Sequence, residues 1–550
     1  MNKYSNLDRK DRLIQSASEV YDLVVIGGGV TGAGIALDAS LNGFKTLLIE
    51  KSDFASGTSS RSTKLIHGGL RYLKQLEFGL VKESGLERAI VHKLAPHLVH
   101  PEKMLLPIVK KGSFSKLAAS FAISVYDFLA KVEDEDKKKN FNKAKTLNLE
   151  PLLNPAILKA GVQYSEYRTD DARLTMALIN SAINLGCDAY NYLFVESFNY
   201  DSDTDQIKSL NVNDEMSNET YTINCKQVVS AAGPWVDQLR RKDGSLTGKR
   251  LRPSKGSHIV VPYEKLPLYQ SVYFDDFKGR MIFAIPRLGV TYIGTTDENY
   301  EGDPDKVFCS VEEASYLLDA ANHIFPDISL SHDDIVSSWA GLRPLIHEEG
   351  KSPTELSRKD EIFISKSGLI SIAGGKLTGY RKMAERIVKL LMERAGQENV
   401  HQSTEHTELS RDGFLNYTEV IEYRNNLEER LAIFGLNQLD AAHLVQCYGR
   451  DSEWIVGKMN ELQSSYEDPY ELLVISELDY TIEHEMTIHL LDFFNRRTGR
   501  LYFKLDDVIK YKTIVSNRLA ERLNLSESQM KKQSEELEEA ITHCLACKHL

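Results

Sequence analysis

Three glycines and one acidic residue near the start of the chain form the strongest chemical signal in the sequence. Gly27, Gly29 and Gly32 have the spacing G-x-G-x-x-G, and Glu50 follows 18 residues after the third glycine. Glycines at this spacing permit a tight turn and let a pyrophosphate approach the backbone at a helix N-terminus. The acid can accept a hydrogen bond from a ribose hydroxyl and would repel a 2′-phosphate. The pattern therefore predicts a dinucleotide site and argues against NADP.

The segments around these glycines are the elements that the motif requires. Apolar residues 23–26 predict a buried strand, the stretch that ends at residue 42 predicts a helix, and residues 46–49 predict a second strand. The motif therefore lies in a strand–turn–helix–strand unit. The cofactor-binding residues predicted in this unit are Gly27, Gly28, Gly29, Thr31, Gly32, Glu50 and Lys51.

Two segments that follow directly also suit a bound cofactor. Residues 56–63 are rich in hydroxyls, which can bind phosphates and a ring edge, although a solvated Ser/Thr loop would look the same. The next segment, residues 67–72, reads His-Gly-Gly-Leu-Arg-Tyr, and its paired glycines suggest a backbone that passes close to something flat. A lone histidine is more often structural, but this one follows a cofactor loop. The cofactor-binding residues predicted here are Thr58, Ser59, Ser60, His67, Gly68, Gly69 and Leu70.

Two later turns fit the same site. Residues 228–235 predict a strand that ends in a Gly-Pro turn, which suits the far side of the nucleotide site. Gly374 and Gly375 precede Lys376 and a long helix over residues 380–394, and such a helix end suits the anionic charge of a reduced flavin ring. A simple strand-to-helix turn is the alternative. The cofactor-binding residues predicted in these turns are Ala232, Gly233, Trp235, Gly375, Lys376, Leu377 and Thr378.

The order of these segments predicts an α/β fold. A nucleotide domain is assembled from distant parts of the chain, with a mostly antiparallel sheet domain inserted and a helical domain at the C-terminus. The single dinucleotide fingerprint argues against a two-nucleotide flavin disulfide reductase. In this architecture the cofactor normally stays bound and performs the redox chemistry itself, which favours a resident FAD over exchangeable NAD. The predicted boundaries are 1–95, 165–245 and 335–395 for the FAD-binding domain, 96–164 and 246–334 for the substrate-binding and membrane-facing domain, and 400–550 for the helical domain.

The composition limits the class of protein. A chain of 550 residues has room for roughly two to four domains. Its formal net charge of −12 lacks the basic excess of a nucleic-acid-binding protein, so nucleic acid is excluded as a partner. The polar residues 1–20 predict no signal peptide, and the lack of a long apolar run predicts no membrane-spanning helix.

Cysteine and histidine usage gives little support for a metal. Six scattered cysteines indicate reduced thiols in a cytoplasmic protein. Cys544 and Cys547 form a C-x-x-C pair in a tail that we expect to be mobile, and no second pair supports a zinc knuckle. His484, Glu485 and His489 resemble a zinc-protease motif, but H-E-x-x-x-H spacing places the imidazoles about 140° apart around a helix. No metal site is predicted.

A basic segment offers a possible contact with lipid. Lys103, Lys110, Lys111 and Lys116 precede the apolar residues 117–130, which are too few to span a bilayer. A basic, apolar helix is the usual form of an interfacial anchor on anionic lipid. A core helix beside a solvated lysine cluster fits equally well.

Taken together, the motifs resemble those of aerobic, FAD-dependent glycerol-3-phosphate dehydrogenases. The matches cover residues 20–390 in the family's order, and the C-terminal region matches in length and helical character. Ala232 departs from the family, where threonine is frequent, and removes one hydroxyl contact. The matching segments are IGGGVTGAGIALDAS (26–40), TSSRSTKLIHGGLRYL (58–73), DDARL (170–174), AAGPWVD (231–237), KGSHIVVP (255–262), GTTD (294–297), GDP (302–304), AGLRPL (340–345) and GGKLTGYRKMAE (374–385).

The resemblance implies a flavoprotein of the glutathione-reductase and amino-acid-oxidase type that oxidises sn-glycerol 3-phosphate to dihydroxyacetone phosphate. Hydride would pass from C2 to flavin N5. The residues that suit the phosphate and the substrate oxygens are Arg71, Tyr72, Arg343 and Lys376. The base that takes the hydroxyl proton has two candidates, His67 first and His258 second, because imidazole titrates near neutrality.

The resemblance also implies the partners. Electrons would pass to membrane quinone, from a cytoplasmic protein held peripherally at the inner face of the cell membrane, and a homodimer is possible. Three other functions stay open: a glycerol-3-phosphate oxidase that reduces O2 to H2O2, a related FAD-dependent amine or amino-acid oxidase, and a flavin-binding membrane module without catalysis. Peroxide production and the bleaching of bound flavin by glycerol 3-phosphate discriminate among them.

Overall fold

A computed structural model provides the fold. It describes residues 5–67, 78–113, 123–124, 137–276, 279–347, 360–397, 399–409 and 413–548. The predicted site residues Gly68, Gly69, Leu70, Arg71 and Tyr72 therefore lie outside the described residues. Most of the apolar segment 117–130 and the predicted basic residue Lys116 lie outside them too.

The described residues form a mixed α/β structure. The strands are β1 Val20–Ile26, β2 Thr46–Ile49, β3 Leu65–Ile66, β4 His100–Val109, β5 Lys139–Asn142, β6 Leu158–Arg168, β7 Asp188–Tyr190, β8 Leu193–Tyr200, β9 Ile207–Asp214, β10 Glu219–Ser230, β11 Arg250–Leu251, β12 Ser254–Pro262, β13 Ser271–Asp275, β14 Met281–Arg287, β15 Val290–Gly294, β16 Glu298–Asn299, β17 Ser337–Arg343, β18 Ile346–His347, β19 Glu361–Ile364 and β20 Ile370–Ala373. The α-helices are Arg9–Ser18, Val30–Leu41, Phe78–Leu94, Lys143–Leu149, Asp171–Asn184, Val236–Lys242, Val311–Ile324, Tyr380–Arg394, Tyr417–Leu431, Gln438–Tyr448, Ser452–Leu462, Pro469–His484, Arg500–Phe503, Leu505–Leu523 and Glu527–Leu545.

The first sheet has β1 near its centre, in the order β19-β20-β10-β1-β2-β7. The pairs β20–β10, β10–β1, β1–β2 and β2–β7 are parallel. Two antiparallel pairs extend the sheet, because β9 pairs with β10 and β8 pairs with β9. The helices Val30–Leu41, Asp171–Asn184 and Tyr380–Arg394 pack on this sheet in one apolar cluster. Strands covered on both faces are apolar throughout, which explains the short apolar runs in the sequence. The predicted Rossmann-like unit is confirmed.

The second sheet is mostly antiparallel, as the sequence predicts, and has the order β16-β12-β15-β14-β13-β4-β6-β3. One pair in this order, β13–β4, is parallel. β17 pairs with β12, and His258 lies opposite Trp339 in that pair. The segment 335–395 is therefore divided: β17 belongs to the second sheet, whereas β19, β20 and Tyr380–Arg394 belong with the first. The reason is that strand pairing with β12 depends on a partner about 80 residues away in sequence, which local pattern does not reveal.

Lys103 and Lys110 lie on or beside the strand β4, and most of the predicted apolar helix, residues 117–130, lies outside the described residues. One local expectation is wrong. The tail that carries Cys544 and Cys547 is packed and not mobile, since both residues are buried and the Ser338 hydroxyl donates to the Cys544 carbonyl at 2.8 Å. Within the described part of the chain, no helix is both long and apolar enough to cross a membrane.

The C-terminal domain is helical, as predicted, and it is attached to the nucleotide domain by buried ion pairs. Asp53, three residues after Glu50, accepts hydrogen bonds from Arg496 and from both Nη atoms of Arg497, at 2.8 and 2.9 Å for Arg497. Arg173 pairs with Glu485 at 2.6 Å in the same interface. Glu485 therefore serves as an ion-pair partner in this structure.

Candidate active site

The glycine turn after β1 is as tight as the motif predicts. Gly27 has φ +114°, and a Cβ atom there would lie 2.6 Å from the Ala231 carbonyl oxygen. A Cβ atom on Gly32 would lie 1.8 Å from the Gly27 carbonyl oxygen, so helix and strand cannot pack this closely with any other residue. The helix Val30–Leu41 thereby begins directly at the turn, and its N-terminus faces the space that a pyrophosphate would fill.

Glu50 closes the turn on its other side. Its Oε2 accepts a hydrogen bond from the Gly28 N–H at 2.7 Å, and its Oε1 accepts one from the Ser52 N–H at 2.9 Å. Burial raises the pKa of this carboxyl group, and the two N–H donors oppose that effect. Each oxygen retains acceptor capacity for a ribose hydroxyl.

The hydroxyl-rich loop contributes in three different ways. The Ser59 hydroxyl accepts a hydrogen bond from the Val30 N–H at 2.9 Å and so joins the loop to the helix N-terminus. The Thr58 hydroxyl donates to the Leu342 carbonyl on β17 at 2.7 Å. Ser60 faces away from the cavity, because its side chain is buried and its hydroxyl donates to the Gly57 carbonyl. Two of these hydroxyls therefore connect the loop to its neighbours.

Trp235 covers the loop from the far side of the turn, as its place after Gly233 and Pro234 predicts. A Cβ atom on Gly57 would lie 2.9 Å from the indole ring, which shows how closely the two segments pack. Lys51 lies 4.3 Å from the centre of the same ring and pairs with Asp305 at 2.9 Å. Within the described residues the buried indole N–H has no hydrogen-bond acceptor. Such a donor fits a cofactor oxygen.

The second glycine turn leads into the helix Tyr380–Arg394. Gly374 and Gly375 have φ +83° and +84°, and a Cβ atom on Gly375 would lie 2.4 Å from the Met383 sulfur. Lys376 follows and caps a short 3₁₀ turn before the helix. The turn thus places a helix end and a lysine on the cavity wall, as the sequence predicts.

These segments enclose one cavity of about 750 Å³. It runs from the glycine turn to the second sheet, so one space joins the nucleotide site to the residues suited to a substrate. Gly28, Gly32 and Ser60 do not line it. The predicted residues that line it are Gly27, Gly29, Thr31, Glu50, Lys51, Thr58, Ser59, His67, Ala232, Gly233, Trp235, His258, Arg343, Gly375, Lys376, Leu377 and Thr378.

His258 lies on β12 at the substrate end of the cavity and is 2% exposed. Its ring stacks on Trp339 with centroids 4.6 Å apart and planes at 11°, and its Nε2 lies 2.9 Å from the Thr63 hydroxyl. Burial lowers the pKa of this imidazole well below its usual value, and the positive charges of Arg343 and Lys64 lower it further. The ring is therefore neutral at physiological pH and able to accept a proton.

Arg343, at the end of β17, is the cation beside this histidine. Its Nη1 lies 3.2 Å from Asp297 Oδ1, and its Nη2 donates to the Thr295 hydroxyl at 3.2 Å. The side chain is 33% exposed, so part of the guanidinium faces the cavity. A guanidinium that its neighbours fix in direction and that also lines the cavity can bind an oxyanion.

His67, the other histidine predicted here, lies on the same cavity wall. Its ring centre is 6.2 Å from that of Phe283, which in turn stacks on Tyr273 at 4.1 Å. The two imidazoles therefore differ in their contacts: the ring of His258 stacks on Trp339, whereas the ring of His67 lies tilted beside Phe283.

Several residues that line the cavity were not selected from the sequence, among them Arg61, Thr63 and Asp297. Arg61 and Thr63 belong to the hydroxyl-rich loop and follow directly after the residues that we selected. Asp297 ends the GTTD segment, which the resemblance includes, but only the fold places it against Arg343. If every polar residue of the hydroxyl-rich loop and of the GTTD segment had been selected, all three would have been included.

The cavity has the features that an FAD molecule requires. The turn can take the pyrophosphate, Glu50 the ribose, and the free indole N–H of Trp235 an oxygen atom. A family model described as "FAD dependent oxidoreductase" matches residues 22–381, and one described as "C-terminal domain of alpha-glycerophosphate oxidase" matches residues 377–530. The chain therefore belongs to the family of FAD-dependent oxidoreductases, and FAD is its cofactor.

Relatives of similar length show to which group of FAD-dependent oxidoreductases the chain belongs. Proteins named aerobic glycerol-3-phosphate dehydrogenase from Staphylococcus saprophyticus and Staphylococcus haemolyticus are 45% and 46% identical to this chain. The alignments cover 99% and 98% of this chain and 98% and 97% of those proteins. Within its family, the chain thus groups with the aerobic glycerol-3-phosphate dehydrogenases.

Solved structures agree with this grouping. The glycerol-3-phosphate dehydrogenase from Bacillus halodurans, complexed with FAD, superposes with a TM-score of 0.84 at 40% identity and covers 99% of each chain. The L-alpha-glycerophosphate oxidase from Mycoplasma pneumoniae has a TM-score of 0.55 at 20% identity and covers 72% of this chain and 98% of its own. The second comparison supports the fold alone.

Proposed function

We propose that this enzyme oxidises sn-glycerol 3-phosphate to dihydroxyacetone phosphate. The observation that supports this most is that a buried, neutral His258 and the partly exposed cation Arg343 both line the substrate end of the FAD cavity. FAD, when bound, supplies the hydride acceptor. A secondary alcohol beside a phosphate needs both a base and cations, and this end of the cavity provides them.

Each side chain has a separate task. Arg343 and Lys376 supply positive charge, which binds the anionic substrate and stabilises an alkoxide as the C2 hydroxyl loses its proton. Arg71 and Tyr72, which the resemblance assigns to substrate binding, complete the phosphate site in this proposal. The net charge of −12 makes such a local cluster necessary, because the overall field repels the substrate.

The geometry favours His258 over His67 as the base, which reverses the order suggested by sequence. His258 is buried, held by stacking on Trp339 and close enough to Arg343 for the charge to lower its pKa. The lowered pKa keeps His258 deprotonated at working pH, so the ring can accept a proton, but it also makes the ring a weaker base than an imidazole that titrates near neutrality. His67 lines the cavity and is assigned to cofactor contact.

Replacing His258 with glutamine should slow flavin reduction by at least about a hundredfold, the usual contribution of a general base. His67→Gln, the matched control on the same wall, should reduce the rate far less. In the wild type, the rate should stay constant as pH falls through 6.5, because His258 protonates only well below that value. Anaerobic stopped-flow absorbance of the flavin measures all three. A large loss in His67→Gln with little change in His258→Gln would reverse the assignment.

We further propose membrane quinone as the electron acceptor, with the protein held peripherally at the inner face of the cell membrane. An acceptor other than oxygen is supported by the relatives' names, which say dehydrogenase and not oxidase. Lys103, Lys110 and Lys111 supply positive charge for lipid. Reoxidation of substrate-reduced enzyme by a quinone analogue should be much faster than by O2. Peroxide formed at the rate of substrate loss would support the oxidase alternative instead.

The substrate is tested by anaerobic addition of glycerol 3-phosphate to the holoenzyme. One equivalent should bleach one flavin, whereas glycerol or inorganic phosphate alone should not. Bleaching by amino acids and not by glycerol 3-phosphate would identify an amine or amino-acid oxidase. A flavin that no substrate reduces would indicate a binding module without catalysis.

A further inference from the structure

His258 lines the cavity, but its ring offers few polar atoms through which a proton could reach it. Its side chain is 2% exposed, and its Nδ1 is buried without a hydrogen-bond partner among the described residues. One face of the ring is covered by Trp339. The edge that carries Cδ2 abuts Gly294, where a Cβ atom would lie 2.1 Å from that carbon. A proton can therefore reach this ring through Nε2 and through no other polar atom that the structure shows.

The atom at that point is the hydroxyl of Thr63. Thr63 Oγ1 lies 2.9 Å from Nε2 and is the hydrogen-bond partner that the structure gives His258. Thr63 itself lines the cavity. Its backbone is held on both sides, since the Tyr292 hydroxyl donates to the Thr63 carbonyl at 3.1 Å and the Trp339 indole donates to the Ser62 carbonyl at 3.2 Å. The hydroxyl is thus fixed between the cavity and the base.

We propose that Thr63 is a catalytic residue that relays the substrate proton to His258. This inference rests on the proposed function. The C2 hydroxyl donates its proton to Thr63 Oγ1, and the proton already on Oγ1 moves to His258 Nε2. As the C2–H bond breaks, its electron pair leaves as hydride to the acceptor, and the C2–O bond becomes a carbonyl. A threonine hydroxyl can do this because it donates and accepts at once.

The positive charges beside the relay oppose protonation of the His258 ring, and neighbouring carboxylates reduce that opposition. Arg343 on β17 and Lys64, the residue after Thr63, both act on the His258 ring. Lys64 is neutralised by Asp171, with which it forms a buried ion pair. Arg343 is partly neutralised by Asp297, so the imidazolium that the relay produces meets reduced repulsion. The centre of the Tyr292 ring lies 6.5 Å from the centre of the His258 ring.

Thr63→Val keeps the shape of the side chain and removes the relay. Flavin reduction by glycerol 3-phosphate in the anaerobic holoenzyme should slow by at least about tenfold, and Thr63→Ser should restore most of it. The remaining rate in Thr63→Val should rise with pH, because solvent hydroxide then takes the proton. The double variant Thr63→Val/His258→Gln should be no slower than His258→Gln alone, since two groups that act in series are not additive.

Thr291→Val is the matched control, because the buried Thr291 hydroxyl donates to the Leu266 carbonyl at 2.8 Å on the same sheet and away from the cavity. It should leave the rate and its pH profile unchanged. A Thr63→Val enzyme with wild-type rate and pH profile would overturn the relay while the proposed function stands. A wild-type enzyme whose flavin glycerol 3-phosphate does not reduce would overturn the proposed function itself. Equal losses in Thr63→Val and Thr63→Ser would also overturn the relay, because they would indicate packing rather than proton transfer.

Discussion

Replacing Gly32 with alanine should give a protein that binds no FAD. The added Cβ atom would lie 1.8 Å from the Gly27 carbonyl oxygen, and no side-chain rotation relieves a contact between a Cβ atom and a backbone atom. The helix Val30–Leu41 would have to move away from β1, and its N-terminus would leave the place where the pyrophosphate binds. The flavin absorbance of the purified protein, measured against its protein content, tests this directly.

Gly457→Ala is the matched control for this substitution. Gly457 also lies in a helix, Ser452–Leu462, and a Cβ atom there would meet no other atom within 4 Å. Because alanine favours helix over glycine by roughly 1 kcal/mol, this variant should be at least as stable as the wild type and fully loaded with flavin. Full flavin content in Gly32→Ala would show that the turn does not hold the cofactor.

Asp53→Asn should cost about 3–5 kcal/mol of unfolding free energy, the usual effect of removing one partner from a buried ion pair. Asp53 and Arg497 are fully buried, and the substitution leaves two guanidinium groups without their shared carboxylate. The substitution should also weaken the binding of FAD. Phe54 packs against Gly28, and the Ala55 N–H donates to the Gly28 carbonyl at 3.0 Å, so the loop that Arg496 and Arg497 hold also supports the glycine turn.

The pH dependence of stability should change in the same variant. Burial alone would raise the pKa of Asp53, but Arg497 and Arg496 outweigh it and hold the pKa below its usual value. A lowered carboxyl pKa contributes stability that is present at neutral pH and is lost as pH falls through the folded-state pKa. Thermal unfolding should therefore show a weaker loss toward acid pH in Asp53→Asn. Glu219→Gln, which breaks the exposed pair with Lys10, should leave the melting temperature close to that of the wild type, because solvent screens such a pair. Equal melting temperatures in all three proteins would contradict this account.

The parts of the site that the sequence predicts are those built from neighbouring residues. The unit from Gly27 to Glu50 is local, because its turn, helix and strand follow one another and each requires particular residue types. The second turn at Gly374 and Gly375 is local for the same reason. Positive φ angles occur at Gly27, Gly374 and Gly375, which are glycines of the two predicted turns.

The parts that it does not predict depend on strand pairing between distant residues. Thr63 and His258 are 195 positions apart in sequence. Only the register of β12 with β17 and the course of the hydroxyl-rich loop bring them together. The burial of Cys547 likewise depends on an apolar cluster that includes Cys309. The strand β4 is not among the strands that the sequence analysis predicts, although residues 104–109 form the buried apolar run that defines it.

The most direct test of the central claim is anaerobic flavin reduction by glycerol 3-phosphate that carries deuterium at C2. If the enzyme removes hydride from C2 while the cavity residues take the hydroxyl proton, the deuterated substrate must bleach the flavin fully and more slowly than the ordinary one. Deuterium at C1 or C3 should have no such effect. An equal rate with both substrates in a chemistry-limited variant such as His258→Gln, or no bleaching at all, would contradict the proposal.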